Sequence, residues 1–391
     1  MPANNAPGAA RATQSYIRRR PTKLEAWSAS QWLASDDPPN PRSQEDLLRM
    51  TAFDDDGLFF RVDFPPEWVP KIEEVSLRII HSSASSEVYK AELSQDTSSS
   101  VVVKVTDSED PSLSRELHIR QRLSMMQNLQ LAGSSHIVPL YDYESFEDSA
   151  FFLLPAVDCS LEELLEAQQT MKAPVLGKPR LSYGLSLQLL IDVLRGAKHL
   201  EDAGVLHNDL TSANILIKDG RAFITDFSSA CLDHDGDGGH ACCDTRDRSS
   251  DFVGSVYSHA PEMVGGVPTG HSNTVWALGL VLAEMVLGHN PTVPQDLDPR
   301  QIEADNHDEA RRREIHADIV KHFSIERVPG FTSAPEYMQE ILSGMLANSE
   351  GERWSATGSL KAALNVAEEM GLTVASEATL PLVPRMWLET K

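Results

Sequence analysis

The chain has 391 residues, with 58 acidic against 34 basic side chains and a formal net charge of −24. That balance argues against a general affinity for nucleic acid or anionic lipid, which rests on Lys and Arg, and favours a basic partner. The length fits one large two-lobed body or two domains, not three, and no run approaches the roughly 20 apolar residues of a membrane helix.

The first 24 residues carry Arg11, Arg18, Arg19, Arg20 and Lys23 but no acid. An acid-free, Arg-bearing start is read as a plain disordered tail, with an organelle transit peptide or a nuclear address as the alternatives. Four cysteines are too few for a disulfide scaffold and no apolar leader core follows Met1, so the expected setting is a reducing interior, cytoplasmic or nuclear. Residues 25–70 mix Pro and acidic clusters such as Asp54-Asp55-Asp56-Gly57 with Phe64 and Trp68, and read as a poorly structured approach whose two aromatics dock onto a folded body.

From about residue 74 short β-branched runs appear (Val88-Tyr89, Val101–Val105, Phe151–Leu154), and helical periodicity dominates after residue 160. Leu185–Ala203 delivers the chain to Val205-Leu206-His207, and Val275–Leu287 is apolar enough for a buried helix. The expectation is an α+β fold of two lobes, small and β-rich then larger and helical. Its boundaries are 1–73 for a mostly disordered extension, 74–156 and 157–370 for the lobes, and 371–391 for a C-terminal tail.

The segment Leu206-His207-Asn208-Asp209-Leu210-Thr211-Ser212-Ala213-Asn214 is followed by Ile224-Thr225-Asp226-Phe227-Ser228. Phosphoryl transfer needs one carboxylate to orient or deprotonate the attacking hydroxyl, and an Asn with a second Asp to hold divalent metal. Asp209, Asn214 and Asp226 supply that set.

With these motifs the chain resembles the eukaryotic protein kinase superfamily from about residue 74 to 370. Val101-Val102-Val103-Lys104 resembles the V-A-I-K strand, Arg115-Glu116-Leu117 the start of helix C, and Val253–Glu262 the segment that ends in A-P-E. Trp276-Ala277-Leu278-Gly279 resembles the helix that follows, and Arg353 stands where kinases place the partner of the A-P-E glutamate, here Glu262. The resemblance implies ATP with Mg²⁺, or Mn²⁺ in its place, Lys104 and Glu116 as an ion pair on the phosphates, Asp209 as base, and Asn214 and Asp226 as metal ligands. It further implies Leu153 as gatekeeper, Leu154 and Ala156 as backbone contacts of the purine, and Val88, Val102 and Leu216 as the walls around it.

The pattern also departs from the family. The phosphate-covering loop has His81, Ser83 and Ser86 where three glycines belong, which removes the backbone freedom that lets amides approach phosphate but leaves two serine hydroxyls as donors. Thr211 and Ala213 leave the catalytic loop without a cation, although Thr211 also fits the H-G-D-L-T loop of the small atypical kinases of the tRNA threonylcarbamoyl-adenosine machinery. Asn208 replaces the arginine that receives an activation-loop phosphate, Ser228 the glycine of D-F-G, and Thr274 the aspartate that anchors the catalytic loop. Arg120 falls where helix C offers an apolar residue. Between Asp226 and Glu262, Cys231, His234, His240, Cys242 and Cys243 suggest zinc, and Asp233, Asp235, Asp237, Gly238 and Asp244 imitate a calcium loop, but a solvated acidic insert is the preferred reading.

The leading expectation is therefore a protein kinase of Ser/Thr type, on the strength of Ser255, acting on protein and favouring basic peptides. The alternatives are a pseudokinase that serves as a nucleotide-binding or scaffold module, and a small-molecule phosphotransferase, which the A-P-E segment disfavours. Neither membrane nor nucleic acid is expected as a partner, and oligomeric state is left open.

Overall fold

The computed structural model describes residues 27–28, 49–53, 58–65, 68, 71–72, 77–82, 86–93, 96–110, 112–128, 136–170, 178–233, 254–263, 270–294, 297, 301, 305–306, 308–375, 378 and 380. They fall into two compact units, one drawn from Met1–Leu113 and Pro139–Ala156, the other from Ser114–Val138 and Val157–Leu380.

In the first unit, strands β1 (Trp27–Ser28), β2 (Arg49–Phe53), β3 (Leu58–Asp63), β4 (Arg78–Ser82), β5 (Ser86–Leu93), β6 (Asp96–Asp107), β7 (Asp142–Phe146) and β8 (Ser149–Pro155) form one sheet in the order β1-β3-β2-β4-β5-β6-β8-β7. From β4 to β7 every pairing is antiparallel. Successive side chains of a strand point to opposite faces, so the β-branched runs split cleanly in two. Tyr89, Ala91, Val101, Val103, Val105, Phe151 and Leu153 enter one apolar core with Phe64, Trp68, Ile72, Leu77 and Leu93. Val88, Lys90, Val102, Lys104, Phe152 and Leu154, paired across the strands as Val88 with Lys104 and Val102 with Leu154, take the other face.

Part of the segment 1–73, read as a mostly disordered approach, takes part in this sheet, and the rest of it lies largely outside the described residues. Strands β2 and β3 pair antiparallel from Arg49 and Asp63 to Phe53 and Phe59, and Phe53 bridges Arg78 in parallel to join them to the rest of the sheet. Phe64 and Trp68 are fully buried, with the Phe64 and Phe151 ring centroids 5.5 Å apart. The aromatics expected to dock are core residues of this unit, because they supply large apolar area that a small lobe otherwise lacks.

In the second unit, helix α1 (Leu113–Asn128) contributes Ile119 and Leu123 to a core shared with Ile137, Leu190, Phe227 and Trp276. The helix was expected within the lobe 74–156 but groups here because its buried stripe joins this core. Helix α2 (Leu161–Thr170) and helix α3 (Tyr183–Asp202) follow, the latter capped by Ser182, whose Oγ accepts from the Leu185 amide at 3.3 Å. Helices α4 (Ser272–Leu287), α5 (Glu309–His322), α6 (Glu336–Met345) and α7 (Ala356–Glu369) complete it, with α4 buried nearly all round. Among the described residues no helix is long and apolar enough to cross a membrane.

The expected tail from 371 does not stand apart from this core. Leu372 and Val374 pack against it, Arg195 Nη1 donates to Ala375 O at 3.0 Å, and the Ala378 amide donates to His136 Nε2 at 3.2 Å. His136 is the knot beneath. Its Nδ1–H donates to Ala222 O at 2.9 Å, its ring stacks on Phe223, and Asp192, held by both ends of the Arg221 guanidinium at 2.8 Å, lies 3.7 Å from Nε2. Gly196 is required here, since a Cβ would meet His136 O at 2.6 Å.

Desolvation lowers the pKa of His136, an effect only partly opposed by Asp192 and reinforced by Arg221 and Arg195. A histidine with a depressed folded pKa contributes stability present above about pH 6.5 and lost as pH falls below it, because only the unfolded chain then takes up the proton. Urea midpoints should therefore fall from pH 7.5 to 5.5, with a shallower fall in His136→Gln. Equal pH slopes in the two proteins would assign the effect elsewhere.

Candidate active site

The chemistry in the second unit is assembled by a hairpin. Strands β11 (Ile215–Lys218) and β12 (Arg221–Ile224) pair from Ile215 with Ile224 to Lys218 with Arg221, closed by the two residues Asp219 and Gly220. Both have positive φ, at 50° and 71°, as the turn that matches strand twist requires. The open end sets Asn214 beside Thr225, whose amide donates to Asn214 O at 3.0 Å, and so brings Asn214 next to Asp226.

Asp209 stands on the loop between β10 (Val205–Leu206) and this hairpin. Asn214 Nδ2 donates to Asp209 O at 2.8 Å and to Oδ2 at 3.3 Å, and the Ser255 amide donates to Oδ1 at 3.0 Å. Burial nevertheless pushes the Asp209 carboxyl up to about 6; the Ser255 amide, Asn214 and Arg312 pull it down, and Asp226 pushes the same way as burial. Gly254, at φ 73°, has no room for a side chain: a Cβ would lie 2.2 Å from Asn208 O and 3.0 Å from Asp209 Oδ1.

The donor set suits a hard divalent cation, since both amide-hydrogen bonds of Asn214 turn its nitrogen to Asp209 and present the carbonyl oxygen as the ligand atom. Asp226, at φ 58°, keeps its Oδ1 for the Ser228 amide at 3.1 Å and adds a carboxylate to that oxygen set. Ser228 thus fills the glycine position of D-F-G with no change to that turn.

Behind the loop, His207 Nε2–H donates to Thr225 O at 2.8 Å, and its Nδ1 accepts from the Asp209 amide at 3.4 Å, which sets the tautomer. Its ring packs against Phe227 at 5.2 Å, and the Arg120 guanidinium lies over that same ring at 5.2 Å. Arg120 is buried where an apolar residue was expected, and Glu116 neutralises it, with Oε1 accepting from Nε at 2.8 Å and lying 2.8 Å from Nη2. Asn208, in place of an arginine and at φ 65°, ties the loop down through Nδ2, which donates to Ser229 O at 3.0 Å and Cys231 Sγ at 3.2 Å. Cys231 is disulfide-bonded, which the cysteine count did not suggest. Thr274 is buried on α4, with its amide donating to His271 O.

In the first unit, Val88, Val102, Lys104 and Leu154 share the sheet face opposite the core. Leu153, expected as gatekeeper, does not: it is fully buried on the core face, paired with Val103, and Leu154 is the leucine on the Lys104 face. A slip of one residue reverses every side chain of a strand. Ala156 follows β8 directly, Ser86 opens β5 half-buried, and His81 is exposed one residue before the end of β4. Leu216 is half-buried on β11, and Ser83 lies outside the described residues. Lys104 belongs to the first unit and Glu116 to the second. His234, His240, Cys242, Cys243, Asp235, Asp237, Gly238 and Asp244 also lie outside the described residues, among which no three metal-binding side chains cluster.

Two functional side chains escaped the sequence reading. Arg312, in the run Arg311-Arg312-Arg313, lies on the buried stripe of α5 with Ile315, His316 and Ile319 and sends Nη2 to Gly254 O at 2.6 Å. Burial pulls its guanidinium down to about 10, against the pull of Asp209. Its helical spacing with Ile315 and Ile319 was the available signal. Glu284, hidden in an apolar helix, hydrogen-bonds Ser212, and burial pushes it up to about 7.

The Arg353 guanidinium, fully buried, forks onto Glu262, with Nη2 donating to Oε2 at 2.9 Å and Nη1 to Oε1, and lies over the Trp276 ring at 5.0 Å. Two loops remote in sequence are joined this way to α4.

Residues 76–364 match the family model described as protein kinase domain. Among curated proteins the chain is 28% identical over 179 residues to dual specificity mitogen-activated protein kinase kinase 1 of Dictyostelium discoideum, covering 44% of this chain and 24% of that one. It is 32% identical over 183 residues to serine/threonine-protein kinase ksp1 of Schizosaccharomyces pombe (44% and 35%), and 27% identical over 176 residues to stress-activated protein kinase JNK of Suberites domuncula (44% and 42%). The matches thus span less than half the length of each relative.

Arg353→Met would strand the Glu262 carboxylate in a site where little water reaches it. Breaking a pair of this kind costs about 3–5 kcal/mol, so urea unfolding should show a loss of that order. A loss below about 1 kcal/mol would mean that the pair behaves as a surface ion pair.

Proposed function

From the premise that the chain belongs to the protein kinase family, we propose that it transfers the γ-phosphate of ATP to a Ser or Thr hydroxyl of a protein. The observation that carries this reading is the pair of hydrogen bonds that aims Asp209: Ser255 N–H on one carboxylate oxygen and Asn214 on the other. A carboxyl so held, with its pKa near 6, is mostly ionised at neutral pH and so is free to accept the hydroxyl proton. Asn214 and Asp226 would hold Mg²⁺, which when bound supplies neutralising charge for the phosphates. Lys104 would contact the α and β phosphates, flanked on its sheet face by Val88, Val102 and Leu154, with Pro155 C=O and the Val157 amide as the hinge contacts once Leu154 is the gatekeeper. Proline at the first of these costs nothing, since only its carbonyl is used.

Ser/Thr rather than Tyr transfer is supported by Ser255 next to Asp209, by Ala213 in the loop, and by the printed name of the ksp1 relative. The acidic chain favours basic peptides, whose binding should weaken with salt.

A second reading, a scaffold that binds nucleotide weakly or not at all, is favoured by His81 and Ser86 in two of the glycine positions. Thermal-shift titration separates the two: stabilisation by ATP with Mg²⁺ or Mn²⁺ is expected, and its absence would favour the scaffold.

Purified protein with Mg-ATP and basic peptides should incorporate phosphate, and Asp209→Asn should reduce this by about a thousandfold or more, the range expected for removal of a proton acceptor together with its positioning. Equal labelling by both proteins would sink the assignment. Because protonated Asp209 cannot accept a proton, kcat/KM should fall as pH drops through about 6; a limb centred near 4 would contradict the desolvated carboxyl.

A further inference from the structure

The peptide group between Gly254 and Ser255 is gripped at both ends. Its N–H donates to Asp209 Oδ1 at 3.0 Å, and its carbonyl oxygen accepts from Arg312 Nη2 at 2.6 Å. Arg312 is itself held, with Nη1 donating to Asn306 O at 3.2 Å and its side chain 6% exposed. Asn306 Oδ1 accepts from the Val256 amide at 3.0 Å, so the same short element braces the next peptide as well. No other hydrogen bond to Oδ1 of Asp209 is seen among the described residues, so the orientation of that oxygen depends on this one amide.

We infer that Arg312 is a positioning residue for Asp209, acting through the Gly254–Ser255 peptide; the inference rests on the kinase reading only for its consequence in turnover. A cation on the carbonyl oxygen polarises the peptide and strengthens the N–H bond at its other end. It also fixes the plane of a peptide whose first residue is a glycine at φ 73°, the residue type with the most backbone freedom to lose. Helix α5 thereby supports the base from outside the catalytic loop, in a chain where that loop has Thr211 and Ala213 in place of cations and α4 has Thr274 in place of an aspartate.

Two readouts test this. Hydrogen exchange at the Ser255 amide needs no turnover: Arg312→Met should speed it about tenfold, the loss of one charge-assisted hydrogen bond, with core amides such as Tyr89 unchanged. In kinase assays the same variant should lower kcat about tenfold with KM for ATP unaltered, and Arg312→Lys, which keeps a cation and a donor, should recover part of it. Ser255→Pro removes the N–H at a φ of −77° that proline tolerates; in that background Arg312→Met should cost kcat nothing further. Should Arg312→Met not fold, Arg312→Lys replaces it in the exchange measurement, with a smaller rise expected. Unchanged exchange, unchanged kcat despite faster exchange, or multiplying losses in the double variant would each overturn the inference. Faster exchange in a protein that never transfers phosphate would uphold the clamp and instead sink the kinase reading.

Discussion

Asp209 receives one hydrogen bond on each carboxylate oxygen, and each donor comes from a different part of the chain. Asn214 reaches it because the Asp219-Gly220 turn closes a short hairpin in register. Ser255 reaches it because Gly254 leaves its Cβ position empty, 2.2 Å from Asn208 O. Each donor makes a hydrogen bond to a charged group, contributing about 1.5–3 kcal/mol net. What makes the arrangement effective is low dielectric: the carboxyl is desolvated, so the geometry of two bonds decides both its direction and its basicity. The Arg353–Glu262 fork and the Tyr257 hydroxyl on Asp305 at 2.9 Å hold the downstream part of the same segment, so the site's precision derives from bracing outside it.

Three arginines of the second unit are each paired with a carboxylate, and two of them also lie against an aromatic face. Arg120 has Glu116 and Phe227, Arg353 has Glu262 and Trp276, and Arg221 has Asp192. An apolar residue at position 120 would need no partner and would pack on Phe227 as well. The buried arginine therefore needs the Glu116 carboxylate beside it for neutralisation. Asn208 shows the reverse economy: without a guanidinium, its short amide reaches Ser229 O and Cys231 directly and fixes a left-handed turn.

Much of this was legible in the sequence. The α+β order of strands before helices followed from periodicity, and the Asp209, Asn214 and Asp226 set from residue type and spacing. The Glu262 and Arg353 partnership came from resemblance alone. What stayed hidden was what periodicity does not encode. A run such as Phe151-Phe152-Leu153-Leu154 is apolar on both faces, so its parity, and hence whether Leu153 or Leu154 faces Lys104, is decided only by strand pairing with Val101–Val105. Arg312 stood inside a run of three arginines that reads as a solvated face, and only its helical spacing with Ile315 and Ile319 singles out the middle one. The strands at 49–53 and 58–63 were obscured by the acidic and Pro-rich composition around them, which signals disorder on average but not for each residue.

The substitutions that make this chain look degenerate are not equivalent, and the geometry ranks them. Ser228 costs nothing visible, because the Asp226 turn forms with a serine amide. Asn208 removes a phosphate receptor and Thr274 an expected anchor of the catalytic loop, yet Asn208 Nδ2, His207 on Thr225 O and the Gly254–Ser255 peptide hold the same stretch by other bonds. Thr211 and Ala213 are different in kind. They remove charge that would act on the transferring phosphate, and a clamp on a peptide replaces orientation but not charge at that point. The glycine positions belong to a third class, since a side chain at His81 or Ser86 restricts the backbone of the loop whatever the second unit does. On the proposed kinase reading, slow turnover is thus the behaviour this combination favours: the hydrogen bonds that aim Asp209 are in place, and the deficits fall on the phosphate side of the reaction.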